Sequence, residues 1–276
     1  MNRRALTSAL AVLLLPALAA CSSAGAAAEE RTVDGLPVVT VAGATSNPLE
    51  QASIEYVRDE IAADYGIAID YVHIEETRAI LEATEKKEVD ANVAMHEVYM
   101  RAQNEENGFH LAAVVPLFKQ RQVLYSDRYD DVADLPDGAT VAISTSTVAA
   151  STALKFLEQI GLVTVDPDVP LSELAVEDVV DNPKHLKLVP VESVPRALPD
   201  TDAATATAFA FDTAGIDPVA EIAGIDGLDE YALQLVVHQD SVDDPEVSKL
   251  AEAFADPRLA AFVTENYGDL VTPLER

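Results

Sequence analysis

The chain has 276 residues, 18 basic against 48 acidic, for a formal net charge of −30, and its 49% apolar content excludes an intrinsically disordered protein. A surface this negative repels polyphosphate and lacks the basic stripe that backbone contacts require, which excludes nucleic acid as a partner. One cysteine rules out an intrachain disulfide, and with no tryptophan, 7 phenylalanines and 8 tyrosines the cores must be mainly aliphatic.

The first twenty residues divide into a basic start, Met1-Asn2-Arg3-Arg4, and an apolar run from Ala5 to Ala20 without an acid, the pattern of a signal peptide over residues 1–20. The run is about sixteen residues, short of the roughly 20 that a helix needs to cross the hydrocarbon core. It ends Leu18-Ala19-Ala20-Cys21-Ser22-Ser23, which resembles the bacterial lipobox, where the thiol of the cysteine receives diacylglycerol. Residues 21–32 then read as a lipidated flexible tether. Removing residues 1–20 takes away Arg3 and Arg4 and no acid, leaving 16 basic against 48 acidic residues, or −32. Such a body is held off anionic lipid head groups, so attachment to the membrane is expected through Cys21 alone, on the extracytoplasmic face.

From Leu36 onward short β-rich runs alternate with amphipathic stretches, the signature of parallel sheets covered by helices. Leu36–Ala42 reads as the first strand, and Asn47 as the N-cap of a helix with Pro48 at its first position, running to about Tyr65 and stopped by Gly66. Ile67–Ile74 is a second strand, residues 76–86 a helix, and Val89–Met95 a third strand followed by a helix from about His96. Leu111–Phe118 and Gln122–Ser126 are extended runs with little room for a helix between them, which suggests a crossing between lobes. Beyond the turn Asp134–Gly138 come a strand at Thr140–Ser144, a helix at Val148–Ile160 stopped by Gly161, strands at Leu186–Val191 and Ala203–Phe209, and a short helix at Val194–Leu198. Tyr231–His238 is placed to carry the chain back, and helices at about 245–255 and 257–266 finish the first lobe. The predicted architecture is α/β, with residues 33–121 and 232–276 as lobe 1 and residues 122–231 as lobe 2.

Asp90-Ala91-Asn92 followed by His96 and Tyr99, then Leu124-Tyr125-Ser126, Asp134-Leu135-Pro136-Asp137-Gly138-Ala139, Asn182-Pro183-Lys184, Pro195-Arg196-Ala197-Leu198 and Ala214-Gly215, resemble the methionine-binding lipoproteins of ABC importers, the NlpA-type family. The resemblance runs in order from about Val39 to Pro273. It implies a type-2 periplasmic-binding fold, two α/β lobes with a cleft and two crossover strands, closing on a solute and presenting it to a permease and ATPase complex. The family grips its amino acid with an arginine that an ungapped match places at Thr152, and with asparagines that fall at Thr207 and about Leu233. Its aromatic falls at Ala94 and a tyrosine near Thr77, so only His96 and Tyr99 persist from that pocket set. A charge-assisted hydrogen bond contributes roughly 1.5–3 kcal/mol, so loss of the arginine alone weakens carboxylate binding by about a hundredfold. A substitute cation is possible from Arg78, Arg101 or Arg121. Methionine is therefore disfavoured, and a neutral or weakly polar solute suits the hydroxyl and aliphatic residues that replace the gripping set.

His96 stands between a strand and a helix, at the end of an open α/β sheet where ligands sit, with Tyr99 one turn later on the same face. Ser144, Thr145 and Ser146 precede a helix start, where hydroxyls and free amides hold a polar solute or cap the helix. His73, His96, His110, His185 and His238 occur among many acids, but no two have the close spacing of a helical metal site, so no metal is expected unless distant residues converge. Neither Gly-x-Ser-x-Gly nor His-Glu-x-x-His occurs, and neither catalysis nor a cofactor is expected. The chain is expected to act as a monomer. Two other readings compete with solute delivery: a surface lipoprotein that uses the fold as a partner-binding module, and a metal-binding lipoprotein.

Overall fold

The computed structural model describes residues 31–44, 47–216 and 220–274. The predicted signal peptide, Cys21 and most of the tether lie outside them. Strand β1 (Thr32–Val33) pairs antiparallel with β2 (Leu36–Ala44). Asn47 caps α1 (Pro48–Tyr56), its side-chain oxygen accepting from the amides of Leu49 and Glu50. The helical stretch predicted to reach Tyr65 does so in three pieces, with a π turn over Val57–Ile61 and a 3₁₀ turn over Ala62–Tyr65. Gly66 ends it at φ +72, a conformation that side chains resist. Ile67 belongs to that ending and not to the next strand, because its amide donates to the Ala62 carbonyl.

Strands β3 (Ala68–Ile74) and β4 (Ala91–His96) run parallel to β2 on its two sides, joined by α2 (Thr77–Glu85). Helix α3 (Glu97–Asn107) leads to β5 (Leu111–Gln120), and after the single residue Arg121 the chain enters β6 (Gln122–Ser126) in a different sheet. There follow β7 (Thr140–Ser144), α4 (Thr147–Gln159), the small pair β8 (Thr164–Val165) and β9 (Val179–Asp181), β10 (Lys187–Val191), α5 (Val194–Ala197), β11 (Ala203–Thr207), α6 (Ala208–Thr213) and β12 (Ala220–Ile225). Strand β13 (Leu233–His238) then rejoins the first sheet, and α7 (Pro245–Phe254), α8 (Pro257–Tyr267) and β14 (Val271–Pro273) complete it.

The first sheet has the order β1-β2-β4-β13-β5-β14 with β3 on β2, and the second has the order β10-β7-β11-β6-β12. In each, parallel strands are extended by antiparallel ones: β13 lies antiparallel to β4 and β5, and β6 antiparallel to β11 and β12. Every residue of β13 is buried, which explains why Leu-Gln-Leu-Val-Val-His shows no alternation. The first sheet packs Val41, Leu49, Ile54, Phe118, Leu235 and Leu250 into one core, and the second packs Leu124, Val141, Ile143, Leu154, Phe156 and Leu157 into another. At roughly 1.5–3 kcal/mol for each fully buried aliphatic or phenyl side chain, these two clusters dominate the stabilisation of the fold.

Both sheets pin a parallel strand pair with the same device. Asp90 accepts from the Thr40 amide at 2.7 Å and hydroxyl at 2.6 Å, and its own amide donates to the Thr40 hydroxyl at 2.9 Å. In the second sheet Asp202 does the same with Thr140, at 2.8, 2.8 and 3.0 Å.

The predicted strand 203–209 stops at Thr207, because that hydroxyl accepts from the Ala210 amide at 3.1 Å and starts α6. The return strand likewise begins at Leu233, two residues later than predicted, since a 3₁₀ turn occupies Asp229–Tyr231. The edge strands β1, β12 and β14 have no counterpart in the sequence reading. None of the helices among the described residues is long and apolar enough to cross a membrane.

Candidate functional site

A cavity of about 690 Å³ is lined by residues from both sheets and their following helices. From the first sheet come Asn47, His96, Gln120 and Leu233; from the second, Gln122, Ser144, Ser146, Thr152, Glu192, Ser193, Thr205 and Thr207. Phe209, Leu228 and Tyr231 add apolar surface. Strand ends and helix starts converge here because β4, β7 and β11 all deliver their last residues to it, the usual place for ligands of open α/β sheets.

His96 ends β4 and caps α3, its Nδ1 accepting from the Tyr99 amide at 3.2 Å. That bond leaves Nε2–H as the ring's donor. Burial pushes the imidazole down to a pKa of about 4, so it is neutral at physiological pH. Tyr231 packs against it edge-on at 5.0 Å between ring centroids, and the Tyr231 hydroxyl meets Ser151 Oγ at 2.6 Å. Ser151 in turn donates to the Leu171 carbonyl at 2.5 Å. Thr152 is 8% exposed and its hydroxyl donates to the Val148 carbonyl one turn back, which leaves oxygen lone pairs toward other partners. Thr207 has the opposite sense: its oxygen accepts from Ala210, and its O–H remains to donate. Thr205 Oγ1 is buried with no partner in the protein, the kind of atom a bound molecule satisfies.

Behind Asn47, the buried Glu50 carboxylate accepts from the Ala44 amide at 3.1 Å and the Asn47 side chain at 2.7 Å. Desolvation pushes it up to about 7, with those two bonds pulling the other way. Among the described residues the lining contains no lysine or arginine, and the exposed Glu192 is its one acid. The candidate substitute cations are engaged elsewhere: Arg78 with Glu82 and Asn107, Arg101 with Glu97, and Arg121 with Glu221.

Of the residues singled out in the sequence, His96, Ser144, Ser146, Thr152, Thr207 and Leu233 line the cavity. Thr77, Ala94, Tyr99 and Thr145 do not. Tyr99 lies behind His96 at 6.3 Å between rings, Thr77 begins α2, and Thr145 uses its amide on the Val191 carbonyl. The hydroxyls before α4 do not cap it by side chain: Ser146 occupies the cap without such a bond, while Ser144 Oγ accepts from the Ser146 amide at 3.1 Å. Sequence reasoning missed Asn47, Gln120, Gln122, Thr205 and Tyr231. The two glutamines flank the crossing at Arg121, a position that marked them in retrospect. Away from this cavity residues distant in the chain do converge: His110 and His238 meet at 6.0 Å between rings, with Glu85 beside both.

The family model described as NlpA lipoprotein matches residues 39–274. A protein of Pasteurella multocida (strain Pm70) named probable D-methionine-binding lipoprotein MetQ is 30% identical over 246 residues, 86% of this chain and 87% of its own. A crystal structure of a YaeC-family lipoprotein from Enterococcus faecalis V583 superimposes with a TM-score of 0.76 at 26% identity, covering 86% of this chain and 98% of the other. An ABC transporter periplasmic substrate-binding protein from Coxiella burnetii shares the fold at a TM-score of 0.72 and 24% identity, over 86% of this chain and 100% of the other. The α/β architecture is therefore that of periplasmic substrate-binding proteins.

Proposed function

The chain belongs to the NlpA lipoprotein family, and from that premise we propose that it is the solute-binding lipoprotein of an ABC importer, held by acyl chains on Cys21 at the extracytoplasmic face of the membrane. It belongs to a family of binding proteins and not of enzymes. Residues 33–121 with 232–276 and residues 122–231 act as two lobes joined by the crossings at Arg121 and at residues 226–232. They close on a small molecule in the 690 Å³ cavity and hand it to a permease and its ATPase.

The solute is neutral and hydrogen-bonding, and it is not methionine held by its carboxylate. One observation carries this: no cationic side chain lines the cavity among the described residues, and its histidine is neutral. A carboxylate buried there without a partner costs roughly 3–5 kcal/mol, more than the hydroxyls and carboxamides return. Those same groups, Gln120, Gln122, Thr152, Thr205 and Thr207, supply donors and acceptors to a hydroxylated or amide-bearing compound.

Calorimetric titration of the purified protein with a panel of amino acids, amides and polyols tests the reading. A neutral compound binds and either isomer of methionine binds weakly or not at all; tight methionine binding overturns the assignment of solute. Thr152→Arg should restore carboxylate recognition, with methionine affinity rising by about tenfold to a hundredfold, the worth of one charge-assisted bond.

A further inference from the structure

We propose that Glu85, His110 and His238 form a binding site for a divalent transition-metal ion of the zinc class, at the end of the first sheet opposite the cavity. One ligand atom from each residue lies within 4.8 Å of the other two. Glu85 is the last residue of α2, His110 immediately precedes β5, and His238 is the last residue of β13. The antiparallel register pairs His238 with Leu111, which brings the two histidines side by side.

The carboxylate is already oriented. Glu85 Oε2 accepts from the His110 amide at 2.6 Å, and Oε1 lies 3.0 Å from His110 Nδ1. His238 Nε2 is 4.0 Å from Oε2. Tetrahedral zinc with bonds of about 2.0–2.1 Å sets neighbouring donor atoms roughly 3.3 Å apart, so Glu85 Oε1 and His110 Nδ1 are near that spacing, and His238, which approaches the other carboxylate oxygen, must close by up to about 1.5 Å. His238 is 8% exposed, so its ring is fixed by packing, while His110 on the open side admits the ion.

The outer contacts fit as well. His238 Nδ1 accepts from the Asp240 amide at 3.1 Å and has Asp240 Oδ2 at 3.6 Å. Ligation through Nε2 moves the ring proton to Nδ1, where the Asp240 carboxylate receives it in place of the amide donation, the arrangement that usually backs a metal-bound imidazole. Lys87, 3.3 Å from that Asp240 oxygen, steadies the carboxylate. Two imidazoles and one carboxylate favour zinc, copper or nickel over magnesium and calcium, and they leave a fourth position for water. The acidic surface concentrates cations around the site. It is independent of the solute reading, since Leu233 at the cavity and His238 at the metal site are separated by the length of β13, about 17 Å.

The test is a titration of Zn²⁺ into the purified, chelator-stripped protein, with Co²⁺ as a spectroscopic probe. One ion per chain is expected, with the visible absorption of tetrahedral Co²⁺ and a zinc-dependent rise in melting temperature. His110→Ala, at an exposed position, and Glu85→Gln should each weaken zinc binding at least tenfold and abolish the Co²⁺ band. Absence of binding overturns the proposal, as does binding to many weak sites that neither substitution alters. Neither result bears on solute binding in the cavity.

Discussion

His96 is a donor whose charge state is set by its surroundings. Because burial holds its pKa near 4, the neutral ring persists far below its ordinary value of 6.5. His96 should therefore cause no change in solute affinity from pH 8 to about pH 5 and weaken binding only as the ring charges near pH 4, so that in calorimetry across buffers any step near pH 7 belongs to Glu50 behind Asn47. The same shift has a sign for stability: the unfolded chain takes up a proton below 6.5 that the folded one refuses until about 4, so the fold loses stability as pH falls through that interval. His96 was legible in the sequence because a histidine between a strand and a helix announces its place. Thr205 and Tyr231 were not. Thr205 reads as one of many small residues in Ala-Ala-Thr-Ala-Thr, and Tyr231 reaches the cavity from a turn that the sequence merges into a strand.

At the scale of elements, the two Thr–Asp clamps fix which parallel strands are neighbours. Asp202→Ala removes the two hydrogen bonds its carboxylate accepts from Thr140 and the Arg128 ion pair at 3.0 Å, keeps the bond its own amide donates, and leaves the Thr140 amide unsatisfied. A loss of about 2–3 kcal/mol is expected by chemical denaturation, with no change in solute chemistry. The Thr140 amide first, then its hydroxyl and Arg128, holds the Asp202 carboxyl below its ordinary value of 3.8. Its contribution is accordingly present above 3.8 and lost as pH falls below it, and the variant should converge on the wild type in acid. The elements themselves were legible because periodicity and capping are local: Asn47, Pro48 and Gly66 punctuate a helix wherever it packs. Which strands pair is not local; the edge strands β1 and β14, two and three residues long, are too short to show a period, and β12, Ala-Glu-Ile-Ala-Gly-Ile, is too rich in alanine and glycine to read as a strand. His110 and His238 meet only through the register of β5 and β13, so no spacing in the sequence could have announced them.

The whole molecule carries a charge that no single pair offsets. With 48 acids against 18 bases, repulsion among exposed carboxylates opposes the compact state, and ion pairs such as Arg31–Asp70 and Arg78–Glu82 are too exposed to compensate. Melting temperature should rise from low to molar sodium chloride as screening shortens the range of that repulsion; a melting point that falls or stays level with salt would show that burial alone governs stability. The acid excess was plain in the composition, because it is a sum over residues that needs no coordinates.

Gly227 links these scales. It sits at φ +97, and a Cβ there would come within 2.5 Å of the Gln120 carbonyl oxygen and 2.7 Å of Lys119 Cβ. The chain leaving the first sheet and the chain coming home to it therefore press backbone against backbone, and one side of that seam is Gln120, a residue of the cavity lining. A side chain at position 227 would have to part these two passages, and because one of them carries Gln120 of the cavity lining, the displacement would reach the cavity.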